Sequence, residues 1–312
     1  MMGFRGWHVT TAVSAVLLMG LGTFAPASAT QLERSPGEIR EFWTPERMRE
    51  AAGSDPLIPG GTEKRDARIP LGTEDELGAP WTGGGDIAST AGRLFFNVYD
   101  EEGNAQVSSC SANVVESENK SVIMSANHCA HGQDYLFVPG YHDGEMPYGG
   151  WTVNEIFAPE RFTPSTDFAA FRLDKLEDLP IQDVVGAQAV SFDGIRPDRM
   201  NVFGYPRERT NEPENPYGGE RLNYSESDTR DNAQWGMIGV ASDMAHGVSG
   251  GPFLADFDPA TGKGTQVAVV SGSTCAEYSE EGECTVMEET VYGAPFNEVA
   301  RALYEQAAGI AA

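Results

Sequence analysis

Residues 246 to 252 read His-Gly-Val-Ser-Gly-Gly-Pro. A serine with one glycine two places before it and two directly after it can sit on a tight turn with its Oγ exposed. The N–H groups of Ser249 and Gly247 then point at one spot, which is what the oxyanion of an acyl transfer needs. A hydroxyl becomes a useful nucleophile when a neighbouring base takes its proton, and that base is oriented in turn by a third group. The chain has five histidines. His8 lies in the N-terminal apolar segment, and His246 shares the turn of Ser249, poorly placed to reach back to its Oγ. His128, in Ser125-Ala-Asn-His-Cys129, follows an apolar run and adjoins a cysteine that a disulfide would anchor. A base must be held within hydrogen-bond reach, so an anchored loop suits it. His131 stays as the alternative, and His142 lies in a Gly/Asp turn region. For the orienting carboxylate, Asp167 in Ser165-Thr-Asp-Phe-Ala-Ala-Phe171 heads an apolar strand. Its rivals Asp174 and Asp183 lie among exposed-looking charges or turn residues, where a buried orienting role is harder to arrange.

Such groups need a scaffold that gathers them from distant parts of the chain. From Gly92 onward the pattern is short and β-like, with strand-length apolar runs at 93–99, 112–115, 121–125, 169–173, 200–203, 237–241 and 266–271. Gly, Asp, Asn or Pro turns separate most of them. Many short strands with few helices indicate an all-β barrel or sandwich. After Pro295, the apolar positions Phe296, Val299, Ala300 and Leu303 repeat at helical spacing, predicting a C-terminal amphipathic helix packed on the core.

Residues 30–84 differ in character. One short helix is signalled by Thr44 as N-cap, Pro45 and Glu46 in the first turn and Gly53 after the end. Trp43 can pack on Met48 across that cap. Gly60-Gly61, the mixed-charge run 63–68 and Gly83-Gly84-Gly85 read as linker and turn material. Two readings stay open: a propeptide removed on maturation, which the composition favours, and an N-terminal arm wrapped on the domain.

The net charge is 21 − 47 = −26, which repels nucleic acid and anionic membrane and excludes both as expected partners. Arg5, an apolar stretch at 12–21 and Ala27-Ser28-Ala29 form a secretory leader over residues 1–29. An exported chain carries its four cysteines into oxidising surroundings. Of the three possible connectivities, Cys110–Cys129 and Cys275–Cys284 join the nearest pairs along the chain. No zinc-type cluster, phosphate loop or nucleotide fingerprint occurs, so no metal and no cofactor are expected. Glu277, Glu280, Glu281 and Glu283 lie between the last two cysteines, where they can favour basic peptide residues or a cation such as calcium.

The His, Asp and Ser segments together resemble the trypsin-like, chymotrypsin-fold serine peptidases over about residues 88–307. Phe137-Val-Pro-Gly-Tyr141, Pro147-Tyr-Gly-Gly-Trp151, Phe203-Gly-Tyr-Pro206 and Trp43-Thr-Pro-Glu-Arg-Met48 are similar to secreted actinobacterial members. The resemblance implies two antiparallel six-stranded β-barrels with a C-terminal helix, the first over 85–190 and the second over 191–312. It implies a secreted serine endopeptidase acting on peptides or proteins, with His128 and Asp167 from the first barrel and Ser249 from the second. Ser271, Gly272 and Ser273 would form the edge that pairs with an extended substrate, and Asp243, six residues before Ser249, would bind a basic side chain. A monomer is expected.

Two departures stand out. Many members carry an acidic residue just before the nucleophile to pair with a freed N-terminal amine; here that position is Val248. No cysteine braces residues 242–246. The alternative function is a catalytically silent, protease-like peptide-binding protein. An α/β-hydrolase esterase is excluded, because no histidine follows Ser249.

Overall fold

The computed structural model describes residues 34–53, 76–100, 103–212 and 217–310. The leader assigned to 1–29, Gly60-Gly61 and the run 63–68 lie outside the described residues. Seven strands come first: β1 Glu76–Pro80, β2 Ala91–Tyr99, β3 Ala105–Val115, β4 Val122–Ser125, β5 Gln133–Pro139, β6 Trp151–Phe157 and β7 Ala169–Leu173. The last six close into an antiparallel barrel in the order β2-β3-β4-β7-β6-β5. Successive strand residues alternate in direction, so Leu94, Phe96, Ala112, Val114, Phe137 and Phe171 meet in one core. Phe95, Leu136 and Val138 point the other way and are equally buried. Helices α1 Pro36–Phe42 and α2 Pro45–Gly53 cover them, with Trp43 and Met48 packed in the same cluster. Thr44 Oγ1 accepts the Arg47 N–H at the start of α2, and Trp43 Nε1 donates to Asp134 O at 2.8 Å.

The later strands are β8 Ala189–Val190, β9 Arg199–Gly204, β10 Glu208–Arg209, β11 Asn223–Asp228, β12 Arg230–Asn232 and β13 Met237–Ala241. They continue with β14 Met244–Ala245, β15 Pro252–Asp258, β16 Lys263–Gly272, β17 Cys275–Tyr278, β18 Cys284–Met287 and β19 Thr290–Pro295. A nine-stranded sheet runs β1-β11-β9-β15-β16-β19-β13-β12, with β8 paired to β16. It is a half-barrel where a second closed barrel is expected. At the seam between β11 and β13 the links run through side chains. Ser225 Oγ donates to Ser242 Oγ and the Ala241 N–H to Ser227 Oγ, each at 2.8 Å. A hydroxyl set between two strands satisfies their polar groups while keeping the backbones beyond ladder distance.

Short helices α3 Asp86–Thr90 and α4 Ile181–Val185 join the strands, and α5 Glu298–Ala308 closes the chain. Asn297 caps α5 by accepting the Val299 and Ala300 N–H groups. Its Ala300, Ala307 and Ala308 pack against Phe168, Val122 and Val269, joining the two sheets. Val299, expected in the core, is 48% exposed, because the alanine side of the helix faces inward. Both expected disulfides are formed, Cys110–Cys129 and Cys275–Cys284. No helix among the described residues is long and apolar enough to cross a membrane.

Candidate active site

His128 sits in a single 3-10 turn, Asn127–Cys129, directly after β4. Its neighbour Cys129 is tied to Cys110 on β3. Asp167 ends the turn Pro164–Thr166 and leads into β7. Because β4 and β7 pair with Ser125 opposite Ala169, the ends of two adjacent strands deliver the histidine and the carboxylate to one place. Asp167 is 1% exposed, and three donors converge on it. Oδ1 accepts the His128 backbone N–H at 2.9 Å, and Oδ2 lies 2.7 Å from His128 Nδ1 and accepts from Ser271 Oγ at 2.6 Å. This geometry places the ring proton on Nδ1 and leaves Nε2 as the acceptor.

The Ser249 turn is held against that pair by backbone bonds. Ser249 O accepts the Ser111 N–H at 2.8 Å, and Gly247 O accepts from Ser111 Oγ at 2.8 Å. Gly250 N donates to Val270 O at 2.7 Å, one residue before Ser271. Gly250 has φ +79°, and a Cβ there would collide with Ser125 Oγ and the Ser111 carbonyl. The turn therefore lies directly on the end of β4, three residues from His128, and only glycine permits the approach. Gly247 has φ +82°, and its Cβ would meet Tyr205 O at 2.7 Å. Among the described residues, the N–H groups of Gly247 and Ser249 have no acceptor, and no hydrogen bond joins Ser249 Oγ to His128. The arrangement has a buried carboxylate, an oriented imidazole, a half-buried hydroxyl and two unspent donors. It can carry acyl transfer once a bound substrate draws the last contact together.

The other expected positions divide. Gly272 ends β16 opposite Tyr292, and Ser273 follows it, half-buried. Asp243 is buried, with Arg209 Nη1 and Tyr217 OH on its carboxylate, the latter at 2.5 Å. Burial, followed by the bond to Asp243, pushes the Tyr217 hydroxyl well above its usual range. His131 is exposed. Asp174 accepts from Thr152 Oγ1 at 2.7 Å, and Asp183 pairs with Lys120 at 2.7 Å, so both rivals are engaged elsewhere.

Three features escape the sequence reading. Ser271 holds Asp167 with its side chain, beyond the edge role expected of its backbone. His246 Nδ1 bonds Glu208 beside Gly247, and that bond is the first reason the Glu208 carboxyl is held down to about 2. Arg93 is fully buried under the arm, and the signal was a charge inside the apolar run Arg93-Leu-Phe-Phe.

The family model described as Trypsin matches residues 91–288, more than half of the chain. Among solved structures, the chain is similar to the protease Anisep from Arthrobacter nicotinovorans, with 27% identity and a TM-score of 0.59. That match covers 75% of this chain and 99% of the other. A thermostable serine protease from an extremophilic microorganism shares the fold at 24% identity and a TM-score of 0.58, over 72% of this chain and 100% of its own. No curated protein matches. The chain belongs to the trypsin family and is a trypsin-like serine endopeptidase.

Proposed function

We propose that this endopeptidase works through Ser249, His128 and Asp167 and an acyl-enzyme intermediate. The observation that carries the reading is the convergence of three donors on buried Asp167, with the His128 ring among them and the Ser249 turn packed on the same strand end. Ser249 Oγ attacks the scissile carbonyl while His128 Nε2 takes its proton. Asp167 stabilises the imidazolium through Nδ1 without itself being protonated. The Gly247 and Ser249 N–H groups bind the oxyanion as it forms. His128 then gives its proton to the leaving amine, and water repeats the sequence to release the acid. No step calls for a cofactor.

Residues 271–273 offer a strand edge to an extended peptide. Asp243 reaches this reading as part of a neutralised group, because Arg209 and Tyr217 already occupy its carboxylate. A preference for basic side chains is therefore not part of the proposal. Export follows from the leader pattern and fits the two disulfides. A secreted, actinobacterial-type monomer completes the reading. Ser249→Ala tests it: peptide hydrolysis should fall by about 10⁶-fold while the thermal unfolding profile stays within a few degrees of wild type. Activity equal to wild type in that variant overturns the assignment.

A further inference from the structure

We propose that Arg93 is a positioning residue that fastens the helical arm, residues 36–53, to the oxyanion loop, so that the arm is a working part of the enzyme. The inference rests on the reading of Ser249 and Gly247 given above. A guanidinium has five N–H donors in a fixed fork; Arg93 aims its two terminal nitrogens at backbone and hydroxyl oxygens, while its buried Nε has no partner among the described residues. Nη1 donates to Tyr205 O at 2.7 Å and Gly219 O at 2.9 Å, and Nη2 to Ser109 Oγ. Burial lowers its pKa to about 10, so it remains charged at neutral pH. A buried charge without a carboxylate in direct contact is costly to keep, and what it holds is informative.

On one side it holds the walls of the oxyanion loop. Tyr205 O lies 2.7 Å from the place where Gly247 would carry a Cβ, and Arg93 Nη1 lies 3.4 Å from it. Arg207 N donates to His246 O at 2.7 Å, while Gly218 and Gly219 donate back to Arg207 O and Pro206 O at 2.8 and 2.9 Å. The segments 205–207 and 218–219 thus form one unit against residues 246–247, and Arg93 pins both halves.

On the other side it holds the arm. Ser109 Oγ, which accepts from Arg93, donates to Ala51 O at 2.8 Å in the last turn of α2. A Cβ on Gly219 would stand 2.5 Å from Ala52 O. Carbonyls at a helix C-terminus favour a cation, and α2 has none of its own in its last turn. The hydrogen-bond path therefore runs from α2 through Ser109 and Arg93 to Tyr205 O, and from Tyr205 N through Ser111 Oγ, at 2.9 and 2.8 Å, to Gly247 O. Val248, 3% exposed and apolar, leaves no acid for an N-terminal amine to pair with, and the arm with Arg93 occupies the role of ordering this loop.

The test compares the full chain with a chain lacking residues 34–53, and with Ser109→Ala and Arg93→Lys, by steady-state kinetics and by the rate of fluorophosphonate labelling. Deletion should lower kcat by about 100-fold or more, the scale of losing an oxyanion donor, with KM changed less than about threefold. A synthetic peptide of residues 34–53 added in trans should restore the labelling rate. Arg93→Lys keeps the charge and loses the fork, so it should lower kcat at nearly constant KM, and Ser109→Ala should do so less. Should the deleted chain fail to fold, the two point variants decide. Unchanged kcat in both, or a fully active mature enzyme lacking residues 34–53, overturns the proposal. A wild type that takes up no fluorophosphonate would instead overturn the reading of Ser249.

Discussion

His128 and Asp167 stand on a barrel whose six strands close through backbone ladders, with a buried disulfide two strands wide beside them. Ser249 stands on a half-barrel whose seam closes through serine hydroxyls, and its surroundings are glycines at positive φ and pairs of opposite charge. The first region fixes two side chains by packing and covalent bonding. The second sets the shape of a loop by polar contacts: the Arg209–Asp243 ion pair, the His246–Glu208 hydrogen bond, and Arg93 reaching over from β2 to the Tyr205 and Gly219 carbonyls. Changes around His128 and Asp167 should therefore remove chemistry or stability outright, whereas changes around the Ser249 loop, Ser249 itself apart, should redirect or tune it.

After Ser249→Ala, the largest effect belongs to Asp167→Asn. It preserves shape while reversing the proton on Nδ1, so kcat should fall by about 10⁴-fold at neutral pH with little change in melting temperature. Next come the disulfides. Cys110–Cys129 spans 19 residues between buried positions, whereas Cys275–Cys284 spans nine in an exposed hairpin. Replacing the first pair with serines should cost about 3 kcal/mol by denaturant unfolding, and the second pair measurably less. Equal losses would undo the contrast between an anchored barrel loop and a surface hairpin.

On the sheet side, Arg209→Ala removes one cationic partner of the Asp243 carboxylate. Cleavage after Lys or Arg, profiled on a peptide library, should rise about tenfold relative to other residues. No shift in preference would place Asp243 outside the substrate pocket. The smallest effect concerns pH. Glu208 is held at about 2, below its ordinary 4.5, mainly by the His246 bond. Its contribution to stability is then full above pH 4.5 and is lost as pH falls through about 2. Glu208→Gln should flatten the fall in melting temperature between those limits, and an unchanged profile would remove this pair from the account.

The same contrast explains what could be read in the sequence. The Ser249 turn and the His-Cys segment combine rare residue types at fixed spacing, and the disulfides follow from nearest neighbours. Barrel strands such as β7, Ala169–Leu173, are short apolar runs. Strand β11 was not legible: it alternates buried and half-buried positions, but its inward residues are Asn223, Ser225 and Ser227. Hydrophobic periodicity does not register a polar seam. Helix α1 was missed although Ser35-Pro-Gly-Glu38 spells a capping box. The partners of Arg93 and Asp243 are set by chain segments 16 to 126 residues away, which spacing along one sequence does not encode.

The central claim is that Ser249 is an activated nucleophile, and the most direct measurement is the intact mass of purified protein after exposure to a fluorophosphonate, beside Ser249→Ala. The account predicts one adduct per chain on the wild type and none on the variant. A folded wild type that takes no adduct, or a variant that still takes one, would contradict it, and tight peptide capture without cleavage would then favour a silent binding protein.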